Sequence, residues 1–402
     1  MKPVILVLNA GSSSLKFAVY AQTSALPVLP RGQISSLSYA PRLSARGPAA
    51  VEIDQLLGNA PISPGDASEM IFDELARRGL TGAITAVGHR IVHGGQHLIH
   101  PTVLTAAVIN DLYDLAPLAP MHQPTNLEMV AKARDHLPAA LQIGAFDTAF
   151  HANRPKLDRL YALPRDLSDD GIVAYGFHGL SYDHIAAALR ARNGPRAGGR
   201  AIVAHLGSGA NLCAMNAGQS TATTMGFSAL DGLVMSTRCG ALDPAVVLHL
   251  IQQRQMTAEA VHDLLHNRSG LLGVSQISGA MATLLQSDDP RAAEAVALFA
   301  YRAGRAIGSL AAALGGLDTL VFTAGIGENA PRIRALICES AAWLRVRMDT
   351  GSNALGQTVI SAKGSGVEIL VIPADEEHTV AVAVQFGVNG RPDTPPPAAE
   401  ST

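Results

Sequence analysis

Val4-Ile5-Leu6-Val7-Leu8-Asn9-Ala10-Gly11-Ser12-Ser13-Ser14-Leu15-Lys16-Phe17-Ala18-Val19-Tyr20 reads as a buried strand, a tight turn of small hydroxyl residues and a second strand. Such a turn gathers backbone N–H groups and hydroxyls around one concave spot, which suits a phosphate. An ordinary Ser-rich hairpin is the competing reading. Because a strand rather than a helix follows, the segment is not a Walker P-loop, which needs G-x-x-x-x-G-K-[ST] running into a helix.

The segment has an echo close to half a chain later. Ile202-Val203-Ala204-His205-Leu206-Gly207-Ser208 again ends an apolar strand in a polar residue two positions before Gly-Ser, and a further strand follows. The pair reads as a duplicated domain, each half offering one phosphate-binding hairpin. A third glycine-rich turn, Thr323-Ala324-Gly325-Ile326-Gly327-Glu328-Asn329, follows the strand 319–323 and precedes a helix opened by Ala330-Pro331. Glycines there allow close approach of a flat ring or sugar.

Apolar runs alternate with amphipathic stretches, which predicts an α/β fold. Strands are expected at 4–8, 15–20, 84–88, 141–145, 201–205, 211–215, 319–323 and 368–372. Helices are expected at 66–79, 104–116, 125–137, 181–192, 244–254, 257–266, 290–314, 330–346 and 376–387. The Ala-rich stretch 292–314 reads as a buried core helix or a subunit contact. Residues 21–65, rich in Pro, Ser, Gly and Ala, read as a surface insertion, and the tail from Gly390 as disordered.

At 402 residues the chain is long enough for two to three domains, and with 48% apolar and 16% charged residues it supports large cores. A net charge of -3 gives no electrostatic case for nucleic acid or an anionic membrane. Cys213, Cys239 and Cys338 lack metal spacing and read as packed thiols in a reducing compartment. The first strand begins within three residues, leaving no room for a signal peptide, and no apolar run approaches a membrane span. A cytoplasmic protein is expected.

Several polar residues framed by Gly or Pro stand at element ends. Arg90, in His89-Arg90-Ile91-Val92-His93-Gly94-Gly95, can reach a carboxylate or phosphoryl oxygen. His89, His93, His97 and His100 do not make a metal site, because Gly94-Gly95 breaks any helix that would align them. His122 lies between prolines, Asp147 follows a strand, and His178 sits between glycines at 176 and 179. Each could be structural alone, but together they suggest a site. Arg238, in Met235-Ser236-Thr237-Arg238-Cys239-Gly240, adds a second loop arginine. Glu376 and Glu377 end the strand near Ile372, where carboxylates either bind magnesium or favour the following helix N-terminus. Phosphoryl transfer needs positive charge around the equatorial oxygens and alignment of attacking and leaving oxygens, which two arginines and a magnesium ion supply.

Taken together, Asn9 through Lys16, Met225-Gly226-Phe227 through Gly240, and Phe322 through Asn329 resemble the acetate kinase family of acyl-phosphate-forming kinases, which includes propionate and butyrate kinases. The resemblance implies two ribonuclease-H-like domains of the sugar kinase, actin and heat-shock-chaperone ATPase superfamily, flanking a central cleft. It implies an N-terminal domain, 1–146 plus 376–390, closed by the C-terminal helix. A nucleotide-binding and dimerisation domain would span 147–375, before a disordered tail at 391–402. The implied reaction is reversible, Mg²⁺- or Mn²⁺-dependent in-line transfer of the γ-phosphoryl group of ATP to acetate, a short-chain carboxylate, in a homodimer.

In that picture Asn9 and Glu376 help hold the metal, and Ser12, Ser14 and Lys16 lie near the phosphates. Arg90 and Arg238 stabilise the transferring group, with His122 and His178 beside it, and Asp147 orients or activates the carboxylate. Val92, Met121, Phe177 and Ala229 line its alkyl pocket. His205, Gly207, Ser208 and Gly209 form the second phosphate turn, and Gly325, Ile326, Gly327 and Asn329 lie near adenosine. Six positions depart from the family pattern. Ala280, Met281 and Ala282 replace Asp-Phe-Arg, Ser208 replaces Asn, Ala222 replaces Asp, and Ala229 replaces Pro. The first change implies weaker or more permissive nucleotide use. The alternatives are a propionate or butyrate kinase with the same mechanism and a non-catalytic nucleotide-binding regulator. A chaperone-like ATPase would need a peptide-binding domain for which no residues remain.

Overall fold

The computed structural model describes residues 2–11, 14–37, 39–47 and 51–388. Ser12 and the expected disordered tail lie outside the described residues. The chain forms two compact units: one runs to Ala149 and takes back the segment from Glu376, and the other is Phe150–Asp375. Asp147, where the sequence reading begins the second domain, lies in the first unit.

The first unit is built on β1 (Val4–Ala10), β2 (Ser14–Ala21), β3 (Val28–Ser35), β4 (Arg42–Arg46), β5 (Val51–Leu56), β6 (Ile84–Ile91), β7 (Thr102–Val103) and β8 (Leu141–Phe146), in the order β5-β4-β3-β2-β1-β6-β8-β7. β1, β6 and β8 are mutually parallel neighbours, and β1–β2 and β2–β3 are antiparallel. Val4, Leu6, Leu8 and Ala10 of β1 bury one face against Ile71 and Leu75 of the helix Pro64–Arg77 and Met129 and Ala133 of the helix Gln123–His136. The helix Glu376–Val388 packs on β6, where a Cβ on Gly88 would lie 2.6 Å from the side chains of Val380 and Val384. Glycine at 88 therefore sets how closely this helix, and Glu376 at its start, approaches the sheet.

The second unit carries β9 (Arg200–Leu206), β10 (Ala210–Asn216), β11 (Gln219–Thr223), β12 (Thr319–Thr323) and β13 (Glu368–Val371), in the order β11-β10-β9-β12-β13. β9, β12 and β13 are parallel, and β9–β10 and β10–β11 antiparallel. This repeats the order and sense of β3-β2-β1-β6-β8. The corresponding strand ends pair within each hairpin, Asn9 with Lys16 in the first and His205 with Asn211 in the second, whose turn is one residue shorter. The duplication suggested by two short matching segments thus extends over five strands of each unit.

The structure corrects two expectations and bears out the buried-core reading of the Ala-rich stretch 292–314. Residues 21–65 are not a surface insertion without sheet structure: β3, β4 and β5 extend the first sheet, because β2 would otherwise leave an unpaired edge of buried Phe17, Ala18, Val19 and Tyr20. Gly32 in β3 fits directly over the ring of Phe17, where any Cβ would collide. The segment Ala324–Asn329 is a short helix rather than a turn. The helix Pro290–Leu314 has its apolar stripe, from Ala292 through Phe299, Ala303 and Ile307 to Ala311, buried within the second unit. Its Gly304 lies against Ser340 of the helix Pro331–Ser340.

Candidate active-site residues

Three neighbouring parallel strands of the first unit deliver polar residues to one end of its sheet. Asn9 is the penultimate residue of β1, Arg90 the penultimate residue of β6, and Asp147 follows β8. The carboxyl ends of parallel strands are where α/β folds place ligands. Arg90 donates from Nε (3.1 Å) and Nη2 (2.7 Å) to Asp147 Oδ2, and from Nη1 (3.0 Å) to Asn9 Oδ1. Asn9 donates from Nδ2 to Glu376 Oε2 (3.1 Å) and Glu377 Oε1 (2.7 Å). Arg90 Nη1 lies 3.5 Å from Glu376 Oε2. Burial alone would weaken the charge on Arg90, but the carboxylates of Asp147 and Glu376 outweigh it and raise its pKa above the usual arginine value. The guanidinium is thus permanently charged and held by three residues drawn from one strand, one loop and one helix.

Two buried amides that the sequence reading did not single out lock this corner. Asn126 accepts from Val92 N (3.0 Å) and donates to Ala10 O (3.0 Å), tying the Arg90 loop to the first hairpin. Gln123 accepts from His93 N (3.1 Å) and donates to His93 O (3.0 Å) and Leu112 O (3.2 Å). The signal was present in His122-Gln123-Pro124-Thr125-Asn126, as amides on a helix face that otherwise packs in the core. Val92 is buried, His122 half-buried and Met121 exposed. Lys16 lies opposite Asn9 in the hairpin register. His89 and His93 are buried, and desolvation lowers the pKa of each to about 4, a hydrogen bond with Gln142 partly opposing the drop at His89. Among the described residues no group of three His, Cys, Asp or Glu side chains forms a metal cage.

In the second unit His178 stands just before the helix Gly179–Asn193 with φ +58. A non-glycine residue in the left-handed region carries strain that the surroundings must enforce. Its ring stacks on His205 at 4.2 Å and 15°. His178 Nδ1 is 2.8 Å from Asn211 Oδ1, and His205 Nδ1 is 2.8 Å from Ser181 Oγ. The turn Gly207–Gly209 closes with Gly207 N donating to Gly209 O (3.0 Å). A Cβ on Gly209 would lie 2.9 Å from Arg238 Nη2 and 3.1 Å from His178 Nε2. Both nitrogens therefore converge over that glycine.

The Arg238 loop is fastened by Ser236 N donating to Ser208 O (3.1 Å) and Arg238 Nη1 donating to Ala229 O (2.7 Å). Gly270, at φ +61, lies against it, since a Cβ there would come 2.2 Å from Met235 O and 2.7 Å from Arg238 O. This glycine was also missed by sequence reading. Gly325 and Asn329 are exposed, Ile326 half-buried and Gly327 buried, and Asn329 donates to Gly325 O (2.9 Å). Phe177 is buried. Ala280 and Ala282 are exposed, whereas Met281 is buried in the core.

A model of the acetokinase family matches residues 4–382. The acetate kinase of Rhodopseudomonas palustris strain TIE-1 is 48% identical over 388 residues, covering 95% of this chain and 97% of that protein. The acetate kinase of Rhizobium meliloti is 44% identical over 393 residues, with 94% and 96% coverage. Among solved structures, a propionate kinase from Francisella tularensis superposes with a TM-score of 0.87 at 32% identity, over 95% of this chain and 98% of that one. Porphyromonas gingivalis acetate kinase does so with a TM-score of 0.82 at 32% identity, over 96% and 100%.

Proposed function

The chain belongs to the acetokinase family and carries out ATP-dependent phosphoryl transfer to acetate, and from that premise we propose how its residues divide the work. The acetate carboxylate is already an anionic nucleophile, so no strong general base is needed. The barrier lies in bringing two anions together, which fixed positive charge relieves. The observation that carries the proposal is the network around Arg90. Asp147 takes two of its N–H donors and Asn9 a third, fixing the guanidinium in a charged, oriented state. Asp147 acts through Arg90, presenting it to the acyl phosphate oxygens, rather than as a base.

Arg238 and His178 contribute donors at the glycine turn 207–209, where small residues let phosphate oxygens approach the backbone. Ser14, Lys16, His205 and Ser208 belong to the two hairpins and serve the phosphates. Val92 and Met121 of the first unit and Phe177 and Ala229 of the second are the residues proposed to serve the alkyl group of the acid, and His122 its carboxylate. Gly325, Ile326, Gly327 and Asn329 serve the nucleoside. The oxygen donors of Asn9, Glu376 and Glu377 suit a hard divalent cation. Asn9 and Glu376 would hold Mg²⁺ or Mn²⁺, which would neutralise phosphate charge and orient the oxygens.

The unit Phe150–Asp375 is proposed as the nucleotide-binding and dimerisation domain. A homodimer in the cytoplasm is also proposed. It is supported by exposed Leu242, Val246, Leu248 and Ile251 on and beside the helix Pro244–Gln252, and by three free thiols. Among the described residues no helix is long and apolar enough to cross a membrane.

Steady-state kinetics of Arg90→Ala and Arg238→Ala test the division of labour. Loss of one transition-state donor costs about 10²–10³ in rate, so each variant should lose at least about 100-fold in kcat with its fold intact. Near-normal turnover in either would remove that arginine from the mechanism.

A further inference from the structure

We infer that Asn211 is a positioning residue that fixes the tautomer of His178, and so decides which ring nitrogen faces the Gly207–Gly209 turn. The inference rests on the role proposed above for His178. Asn211 is completely buried in the otherwise apolar stretch Ala210–Met215 of β10, directly opposite His205. A buried amide in such a strand is kept only where its bonds are made.

Its orientation follows from its neighbours. Asn211 Nδ2 donates to Phe177 O (3.4 Å) and to Thr223 Oγ1 (3.3 Å). A carbonyl only accepts, and the Thr223 hydroxyl already donates to Leu212 O (2.9 Å), so it too accepts from the amide. Turning the amide over would set its oxygen against both acceptors. Oδ1 therefore faces the other way, toward Tyr182 Oη (2.5 Å) and His178 Nδ1 (2.8 Å). Burial keeps the Tyr182 phenol protonated, so it donates. An amide oxygen cannot donate, so Nδ1 of His178 carries a hydrogen whether the ring is neutral or charged. Nε2, which lies beside Gly209 with Arg238 Nη2, is then the nitrogen that gains or loses a proton.

This has a chemical consequence. With Nδ1 committed, His178 donates to a phosphoryl oxygen through Nε2 only as an imidazolium, so its contribution titrates. The opposite tautomer would donate while neutral. The groups around the ring are His205, stacked on it, Arg238, Tyr182 and, behind the Phe177 carbonyl, His151. His151 Nε2 is 3.0 Å from Phe177 O, and burial holds its pKa at about 3. Asn211 supplies a hydrogen bond and no countercharge.

Two-bond ¹⁵N–¹H correlation spectra of the full chain, labelled at histidine and with His178→Gln for assignment, read the tautomer directly. The wild type should show His178 protonated at Nδ1 and unprotonated at Nε2 at alkaline pH. In Asn211→Ala the ring should populate the Nε2–H form and the alkaline limb of kcat should flatten, because that tautomer donates while neutral, with the KM for ATP within a few-fold. Asn211→Asp, nearly isosteric, should keep the tautomer and move the alkaline limb of kcat upward by about one pH unit or more, because a carboxylate stabilises the imidazolium. A wild-type His178 found in the Nε2–H form overturns the inference without needing any variant to fold. A tautomer unchanged in Asn211→Ala overturns it as well. A tautomer shift with an unaltered pH profile of kcat would uphold the assignment and instead remove His178 from the reaction.

Discussion

Asp147 and Arg90 illustrate why the residue is the right scale for the chemistry. The carboxylate has no proton to give or take in the proposed reaction; its work is to aim a guanidinium through two N–H donors on one oxygen. Asp147→Asn keeps an acceptor but removes the charge, and charge-assisted hydrogen bonds contribute about 1.5–3 kcal/mol. It should therefore lower kcat/KM for acetate by roughly 10- to 100-fold, less than Arg90→Ala. An Asn variant as damaged as the alanine variant at 90 would give Asp147 a more direct part. A second prediction concerns pH. His89 and His93 have pKa values of about 4, set first by burial, against an ordinary value of 6.5. The unfolded chain therefore binds protons that the folded chain refuses between pH 6.5 and 4. Their stabilisation is complete above pH 6.5 and is lost as pH falls towards 4, by about 3 kcal/mol per histidine. Urea midpoints measured across that range should fall with pH, and His89→Gln should flatten the slope; equal slopes in both proteins would contradict the assignment.

At the scale of elements, glycines decide where functional loops can lie. Gly270→Ala would drive a Cβ into the carbonyls of Met235 and Arg238 and would force a residue with a side chain to φ +61. It should dislodge the Arg238 loop, cutting kcat by at least tenfold while leaving the first unit's tryptic stability unchanged. A fully active Gly270→Ala enzyme would show that the loop's path is not set there. Much at this scale was legible in the sequence. The two hairpins were visible because apolar runs ending in a polar residue and Gly-Ser leave a local signature, and so were Arg90, Asp147, His178 and Arg238. Strands β3 to β5 were not. They pair with their sequence neighbours, but few of their residues are buried and apolar, Ile34 and Leu43 among them, so Pro and Ser masked the alternation. Asn126, Gln123, Asn211 and Gly270 escaped for a related reason. Each is defined by a backbone group or side chain distant in sequence, and its own neighbourhood, even the two amides of the helix face at 123–126, does not say what it binds.

For the whole molecule, the repeated five-strand order shows one α/β plan used twice, with the final helix returning to complete the first copy. The copies have diverged in what the strand ends carry: Asn9 and Arg90 in one, His205 and Thr323 in the other. The loop at 280–282 bears on the donor. With Met281 turned into the core and small alanines on either side, neither an aromatic face nor a guanidinium stands at those positions. Discrimination between ATP and GTP should accordingly be weak, with kcat/KM values within about tenfold of each other, since one hydrophobic contact is worth only about 1–3 kcal/mol. Strong ATP selectivity with a low KM would place base recognition elsewhere.

The central claim is that this chain moves a phosphoryl group directly from ATP to a short carboxylate. Trapping the product with hydroxylamine tests it most directly. The purified chain with ATP, Mg²⁺ and acetate should yield acetyl hydroxamate in proportion to the ADP formed, with propionate and butyrate run in parallel to fix the chain-length preference. No hydroxamate with any of the three acids would contradict the account.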